Sequence, residues 1–140
     1  MDTTIECSFV QEKDVYTVQM GTDSVEDIVF DYRGVPENER SGNSTKLLLA
    51  AVMSCFCGSL RAAMVARNIP FSSIRAHARA VKRRNEVGAF RIASVELDIT
   101  ADVDRNFLKE FEHCAKIVKS CTIAGSLMDG MDVVHHIRTA

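Results

Sequence analysis

The chain of 140 residues has no tryptophan, only two prolines and two tyrosines, and no excess of either charge. Its 17 Lys and Arg against 19 Asp and Glu give a net charge of -2, which provides no basic footprint for nucleic acid or anionic membrane. The first residues lack the basic and apolar regions of a signal peptide, and no uncharged run reaches the roughly 20 residues of a membrane span. We therefore expect a cytoplasmic protein that binds neither nucleic acid nor membrane.

Five cysteines are present: Cys7, Cys55, Cys57, Cys114 and Cys121. An odd number in a chain without an export signal argues against a disulfide framework and favours reduced, buried or reactive thiols. No Cys and His spacing matches a zinc signature, so we expect neither a metal nor a cofactor. One alternative stays open, a metal site assembled from Cys57, Cys114, Cys121 and His113.

The stretch Thr45–Arg67 dominates the sequence, because Leu47–Leu60 contains no charged side chain. Its Leu, Ala and Met content favours a helix, and apolar residues occupy every side of the helical wheel. A helix that is apolar all round and too short for a bilayer is predicted to be buried. Cys55 and Cys57 lie at its middle and project about 200° apart, so they cannot bond each other while the helix persists.

Alternation of apolar and polar residues predicts strands on both sides of this helix. The polar loop Arg33–Asn43 leads into the helix, and we expect its Arg40 to be solvated and Cys7 to lie in the core. After the helix, the pattern predicts a hairpin that turns near Asn85–Gly88, with a β-bulge near Ala93–Ser94. The strands predicted before the helix are residues 5–10, 14–20 and 25–32.

A second helix is predicted to run from Asp102 or Asp104 to about Ser120, followed by a last strand over Met131–Arg138. Its apolar stripe consists of Phe107, Phe111, Cys114 and Val118. Grouped strands with few helices indicate a single α+β domain, 1–140, with mainly antiparallel sheets around a long buried central helix. A helix that is apolar on all sides is hard to bury in so small a domain, so we expect a homodimer.

Spacing limits which cysteines can react together. Cys114 and Cys121 are two helical turns apart, roughly 10 Å along the axis, which is too far for a disulfide. A cysteine of the central helix must therefore pair with one from the C-terminal region. Cys121 is the best placed, since a helix end gives its sulfur freedom and access to solvent.

Two segments resemble motifs of the OsmC/Ohr family, which comprises osmotically inducible protein C and the organic hydroperoxide resistance proteins. NSTKLLLAAVMSCFCGSL resembles the family helix Asn-Pro-Glu-x-Leu-x-x-Ala-x-x-x-Ala-Cys-Phe. CTIAGSL, from Cys121, resembles the family segment Cys-Pro-Val-Ser-x-x-Leu. The order and spacing of elements match over nearly the whole chain, and the two motifs together are fairly specific.

The resemblance implies an intertwined α+β homodimer with active sites at its interface, and thiol peroxidase chemistry in oxidative stress defence. By position, Cys55 is the peroxidatic cysteine, Cys121 the resolving cysteine, and Arg33 the arginine that holds the reactive thiolate. Cys57 falls where the family has a small residue and is given no role. The implied partners are an organic hydroperoxide, hydrogen peroxide as a second substrate, and an external dithiol reductant.

The sequence departs from the family where Pro-Glu precedes the helix, because this chain has Ser44-Thr45 there. The acidic partner of the arginine must then come from elsewhere, and Glu37 and Glu39 are the candidates in the loop. The departure also leaves a second reading open, a dimer of the same fold that binds a small apolar ligand or senses oxidants without turnover.

Overall fold

A computed structural model describes residues 2–118 and 121–140 of the chain. Residues Met1–Asn43 and Ser44–Ala140 form two compact units, and each unit is described by itself. Strands pair in antiparallel fashion in both units, while the helices follow the first sheet. The α+β class and the antiparallel pairing predicted from the sequence are confirmed.

The N-terminal unit is an antiparallel sheet in the order β1-β2-β3. Its strands are β1 (Ser8–Glu12), β2 (Val15–Gln19) and β3 (Ile28–Asp31). A two-residue turn joins the first two strands, and Lys13 takes a left-handed conformation with φ of 53°. Such turns match the twist of the flanking strands, so the turn sets the register that pairs Glu12 with Val15.

The prediction that Cys7 lies in the core is wrong, since Cys7 is exposed and precedes β1. The register explains this difference. Ser8 pairs with Gln19, the last residue of β2, so no strand residue remains opposite Cys7. A strand needs a neighbour to satisfy its backbone groups, and alternation alone does not provide one.

The prediction that Arg40 is solvated is also wrong, because only 15% of its side chain is exposed. Its guanidinium donates to the carbonyl oxygens of Val35 (2.9 Å) and Tyr32 (3.2 Å) and to the carboxylate of Asp14 (3.1 Å). It also lies 5.4 Å from the centre of the Tyr32 ring. The loop therefore folds back on the sheet around one arginine, and Tyr32 is buried beneath it.

Helix α1 (Asn43–Ala66) corresponds to the predicted central helix. Asn68, two residues beyond its end, takes a left-handed conformation with φ of 55°. The N–H of Ile69 bonds the carbonyl of Met64 (3.0 Å) and the N–H of Asn68 bonds that of Val65 (3.1 Å), which together form a Schellman motif. The stop signal of the helix is thus a left-handed asparagine.

The buried residues of α1 are Val52, Leu60 and Met64, which lie on one face of the helix. The helix is long and apolar enough to cross a membrane by length and composition alone, a test that the core helix of a soluble protein also passes. Its uncharged stretch remains bracketed by Lys46 and Arg61. Most of its other large apolar side chains, Leu47, Met53 and Phe56 among them, are half-buried.

A long hairpin follows, made of β4 (Phe71–Arg84) and β5 (Phe90–Val103). Val81 pairs with Ser94 and Lys82 with Ile92, so Ala93 is the extra residue of a bulge and the predicted bulge is confirmed. The predicted turn at Asn85–Gly88 is also confirmed, with the Gly88 N–H bonded to the Asn85 carbonyl at 3.0 Å.

Helix α2 (Leu108–Ile117) begins after a 3-10 turn that the Asp104 side chain caps by accepting from the N–H of Asn106. Its predicted stripe is confirmed, since Cys114 and Val118 are buried and Phe107 and Phe111 pack against them. The predicted end at Ser120 lies outside the described residues. Helix α2 covers α1 and the base of the hairpin with one cluster: Leu60, Met64, Ile69, Cys114 and Val118.

The last strand predicted over Met131–Arg138 is wrong. Instead helix α3 (Thr122–Asp129), which the sequence pattern does not predict, follows Cys121. Residues 130–140 form neither helix nor strand. Alternating apolar residues made the tail resemble a strand. Such a pattern produces a strand only where the edge of a sheet is available for pairing.

Candidate functional site

Two cysteines meet where α1 and α3 approach each other. Cys55 is half-buried at the middle of α1. Cys121 is the residue before the first turn of α3, and its carbonyl accepts the first helical hydrogen bond, from the N–H of Gly125 at 2.8 Å. Cys55 lies close enough to the Cys121 thiol to raise its pKa. The structure thus brings these two predicted site residues together.

The prediction that Cys121 has an accessible sulfur is wrong, because only 5% of this residue is exposed. Helix α3, absent from the prediction, starts directly after Cys121. Burial first raises the pKa of the Cys121 thiol, and the hydrogen bond to Cys55 and the charge that Cys55 can carry raise it further. At neutral pH Cys121 therefore stays protonated.

The first turn of α3 opposes this rise of the Cys121 pKa. The N–H groups of Ala124 and Ile123 point toward the sulfur and lower the pKa in part, although they do not form a closed cap hydrogen bond. A protonated Cys121 can donate a hydrogen bond toward the sulfur of Cys55. The arrangement thus sets a buried, protonated thiol beside a half-buried one.

An apolar groove of about 510 Å³ lies between α1, β5 and α3. Leu48 and Val52 line the groove. They precede Cys55 by seven and three residues, and this helical spacing puts them on the same flank of α1 as that cysteine. Ala124 lines it one turn after Cys121. The groove therefore adjoins the thiol pair and offers an apolar surface to a molecule that reaches it. Its other lining side chains include Ile92, Val95, Leu127 and Met128.

The remaining cysteines lie apart from this pair. Cys114 is fully buried in the stripe of α2, as the sequence indicated. Burial raises the pKa of the Cys57 thiol, which projects from the other flank of α1. Among the residues that the structure describes, no group of three or more His, Cys, Asp or Glu side chains is placed to hold a metal ion. The alternative metal site is therefore not assembled there.

Arg33, the third predicted site residue, lies in the N-terminal unit and pairs with Asp31. Its Nε and Nη2 donate to the two carboxylate oxygens of Asp31 at 2.8 and 2.6 Å, while 74% of its side chain is exposed. The hydrogen bonds from Arg33 lower the pKa of Asp31 to about 2. Whether Arg33 serves Cys55 stays a prediction.

The acidic partner of Arg33 is Asp31, and neither of the loop glutamates expected from the sequence. Glu37 lies 3.7 Å from Arg40, and Asp31 rather than Glu37 or Glu39 holds Arg33. The first turn of α1 carries no acidic residue, in keeping with Ser44-Thr45 in the sequence. A signal for Asp31 was present, because a carboxylate two residues before an arginine at the end of a strand can bond it locally.

Comparison with known proteins agrees with the fold. The profile of the family described as OsmC-like protein matches residues 37–136. The chain therefore belongs to the OsmC-like protein family. It has no significant match among curated proteins.

Solved structures share the fold at low sequence identity. An OsmC-like protein of unknown function from Vibrio cholerae is 17% identical, with a TM-score of 0.67 over 88% of this chain and 94% of its own. An OsmC-like protein from Mycoplasma pneumoniae is 19% identical, with a TM-score of 0.68 over 91% and 89%. A hypothetical protein from Aquifex aeolicus is 12% identical, with a TM-score of 0.67 over 94% and 92%. Likeness at this identity shows the fold alone.

Proposed function

We propose that this OsmC-like protein is a thiol-dependent peroxidase that reduces organic hydroperoxides, and also hydrogen peroxide, in oxidative stress defence. The observation that carries the proposal is the proximity of Cys55 and Cys121, one half-buried and the other buried beside it. Five free cysteines suit a reducing compartment such as the cytoplasm.

The chemistry divides between the two sulfurs. The Cys55 thiolate attacks the outer peroxide oxygen, the O–O bond breaks, and the leaving oxygen takes a proton to form an alcohol, or water from hydrogen peroxide. Cys55 is then a sulfenic acid. The Cys121 sulfur attacks it, loses its proton and releases water, which leaves a Cys55–Cys121 disulfide. An external dithiol reduces this disulfide and restores both thiols.

Two features support these roles. The raised pKa of Cys121 keeps that thiol protonated until the sulfenic acid forms, so the two cysteines do not compete for peroxide. The apolar groove beside the pair favours an alkyl hydroperoxide over hydrogen peroxide, because burial of the alkyl chain adds binding energy.

Arg33 is proposed to stabilise the Cys55 thiolate, with Asp31 as the carboxylate that orients its guanidinium. The family glutamate is replaced by Thr45, and the pairing at 2.6 Å gives Arg33 another acidic partner. A guanidinium beside a thiol favours the thiolate and so lowers the pKa of the thiol.

A homodimer is proposed as the functional form. The chain exposes 11354 Å², whereas two independent compact units of these lengths expose roughly 8,600 Å². The difference exceeds the roughly 800 Å² that each partner buries in a standard interface. The half-buried apolar side chains of α1 are the surface that such a partner would cover.

The test is thiol mapping by mass spectrometry after one equivalent of cumene hydroperoxide, on the wild type and on three single variants. The wild type should lose two thiols and form the Cys55–Cys121 disulfide, Cys121→Ser should stop at a Cys55 sulfenic acid, and Cys55→Ser should lose none. Cys57→Ser is the matched control on the same helix and should behave as the wild type. A Cys55 that stays reduced in excess peroxide would refute the peroxidase assignment.

A redox sensor or small-ligand-binding dimer is the second candidate. It is favoured by the missing carboxylate in the first turn of α1 and by the exposure of Arg33. Turnover separates the two candidates, because an enzyme consumes many equivalents of hydroperoxide when dithiothreitol is present. A sensor consumes one equivalent per chain and then responds only after it has been reduced.

A further inference from the structure

The two cysteines of the thiol pair differ in how far another molecule can reach them. Only 5% of Cys121 is exposed, whereas Cys55 is half-buried. Cys55 also lies on the flank of α1 that borders the apolar groove, as the positions of Leu48 and Val52 show. A molecule that enters the groove therefore meets the Cys55 side of the pair.

This difference in access bears on how a Cys55–Cys121 disulfide is reduced. A thiolate attacks one of the two sulfurs, and the other sulfur leaves as a thiolate. The sulfur that is attacked is chosen by access and by how well its neighbour can leave. The two cysteines are thus not equivalent in the reductive half of the proposed cycle.

The position of Cys121 in the fold provides for a leaving thiolate. Cys121 directly precedes α3, and its carbonyl accepts from the N–H of Gly125 at 2.8 Å. The N–H groups of the residues in between have no partner within the helix. Those of Ile123 and Ala124 point toward the Cys121 sulfur and favour its charged form.

These amides matter because Cys121 is buried. A thiolate in an apolar surround is costly unless donors hold it, and the first turn of α3 supplies such donors together with the positive end of the helix dipole. Cys55 lies at the middle of α1, where the surrounding backbone amides are bonded within the helix. The backbone of this unit is therefore arranged to receive negative charge at Cys121.

We propose that the external dithiol attacks the Cys55 sulfur of the disulfide, and that Cys121 is the leaving thiolate, held by the first turn of α3. This proposal rests on the disulfide of the proposed function and gives its reduction a direction. The attacking thiolate forms an S–S bond to Cys55 and the Cys55–Cys121 bond breaks. The electron pair of that bond goes to Cys121, which then takes a proton.

The second thiol of the reductant completes the step. As a thiolate it attacks the reductant sulfur bonded to Cys55, closes the reductant's own disulfide and releases Cys55. The dithiol loses two electrons and the protein disulfide gains them. Cys55 is thus released last, as the thiolate that the next peroxide requires, while Cys121 has already regained its proton.

Glutathione tests the direction, because a monothiol cannot close a ring and first forms a mixed disulfide. Cys57→Ser, in which Cys55 is the one cysteine of α1, is oxidised with diamide, mixed with glutathione, quenched with acid and alkylated with N-ethylmaleimide. Peptide mass mapping then locates the glutathione. Extrapolated to zero time, glutathione on Cys55 should exceed glutathione on Cys121 on the order of tenfold or more. An equal distribution, or an excess on Cys121, would overturn the proposal.

Two proline variants test the first turn of α3. Ala124→Pro removes one N–H that points toward Cys121, and Thr122→Pro is the matched control, since Thr122 is exposed and proline suits the first position of a helix. Reduction of the disulfide by dithiothreitol should slow on the order of tenfold in Ala124→Pro, because hydrogen bonds to charged groups contribute about that much. Thr122→Pro should be reduced at the wild-type rate. Equal rates in Ala124→Pro and the wild type would show that the turn does not hold the leaving sulfur.

Alkylation of the reduced protein separates loss of the amide from loss of the helix. If the amide alone is lost, the pKa of Cys121 rises further and its alkylation slows. If proline unfolds α3, Cys121 becomes exposed and its alkylation accelerates. The position of the glutathione, which needs no variant of α3, then decides the direction.

Failure of this proposal is distinguishable from failure of the peroxidase. A Cys55 that stays reduced in excess peroxide would refute the peroxidase, whereas diamide oxidises the thiol pair without any peroxide. Glutathione on Cys121 would refute the direction of reduction and leave the peroxide chemistry standing. If diamide does not form the Cys55–Cys121 disulfide either, the proposed direction is wrong together with the pairing.

Discussion

The two units of this chain are stabilised in different ways. In the N-terminal unit the buried hydrophobic residue is Tyr32, which is held by the stacked guanidinium of Arg40 and its hydrogen bonds. In the second unit, α1, α2 and the hairpin base share an apolar cluster around Met64 and Cys114, both of which are fully buried. The thiol pair lies in the unit that has the apolar core.

The difference indicates how each unit contributes to function. A sulfur that is to be kept protonated needs a low-dielectric surround, which the apolar unit provides for Cys121. A cation that is to remain charged needs carboxylates and water, which the polar unit provides for Arg33. The following predictions test this contrast, from the largest expected effect to the smallest.

Met64→Ala should have the largest effect, because the Met64 side chain is fully buried. Such truncations cost about 2–5 kcal/mol through lost apolar contact and the cavity left behind. Denaturant unfolding followed by circular dichroism measures the loss. Val65→Ala, one residue later on the same helix and half exposed, should cost less than about 1 kcal/mol. Equal losses would contradict the assigned core face of α1.

Alkylation should separate the exposed Cys7 from the buried Cys121. Cys7 should react with iodoacetamide at pH 8 on the order of tenfold faster or more, because Cys121 is buried and has a raised pKa. The alkylation rate of Cys121 should therefore keep increasing at pH values above the ordinary thiol pKa. Peptide mass mapping over time measures both rates, and unfolding in urea, the control, should make them equal. Equal rates in the folded protein would contradict the buried environment of Cys121.

Local sequence patterns were sufficient for much of the second unit. The spacing of Phe107, Phe111, Cys114 and Val118 predicted the buried face of α2, and the phase change near Ala93 predicted the bulge. These features depend on residues close in sequence, whose periodicity is set by backbone geometry.

Features that depend on distant partners were missed. Arg40 is buried because Tyr32 and Asp14 surround it, and neither is marked as a neighbour in the loop sequence. The alternating pattern of the tail predicts a strand wrongly, because it carries no information about an available sheet edge. The resemblance to the family predicts Cys55 and Cys121, and the burial of Cys121 beside Cys55 involves α3, which the sequence pattern does not predict.

Arg40→Met should destabilise the N-terminal unit, whereas Arg33→Met should not do so appreciably. Removal of the Arg40 guanidinium leaves the carbonyls of Val35 and Tyr32 without that donor in a half-buried loop. Arg33 is largely exposed, and surface ion pairs contribute little. Hydrogen exchange of the amides in β2 and β3 measures local stability. Faster exchange in Arg33→Met than in Arg40→Met would reverse the assignment of the two arginines.

The smallest expected effect concerns the pH dependence of the Asp31–Arg33 pair. The pKa of Asp31 is lowered to about 2 in the folded protein, chiefly by hydrogen bonds from Arg33, against a reference value of 3.8. Because the folded value is the lower one, the stability contributed by the pair is present above pH 3.8 and is lost as the pH falls to about 2. The pair is exposed, so salt screens it and the contribution is small.

Carbon NMR titration of the Asp31 carboxyl tests this pair directly, with Arg40→Met as the control that should leave the Asp31 pKa unchanged. In Arg33→Met the Asp31 pKa should return toward its usual value. An unchanged pKa in that variant would mean that Asp31 does not hold Arg33 in solution. Arg33 would then lack the carboxylate proposed to replace the family glutamate, and the sensor would become the better explanation of Cys55 and Cys121. If the pKa returns as expected, the same variant should be compared with the wild type in peroxide turnover, where loss of activity without loss of stability would assign Arg33 to the thiolate.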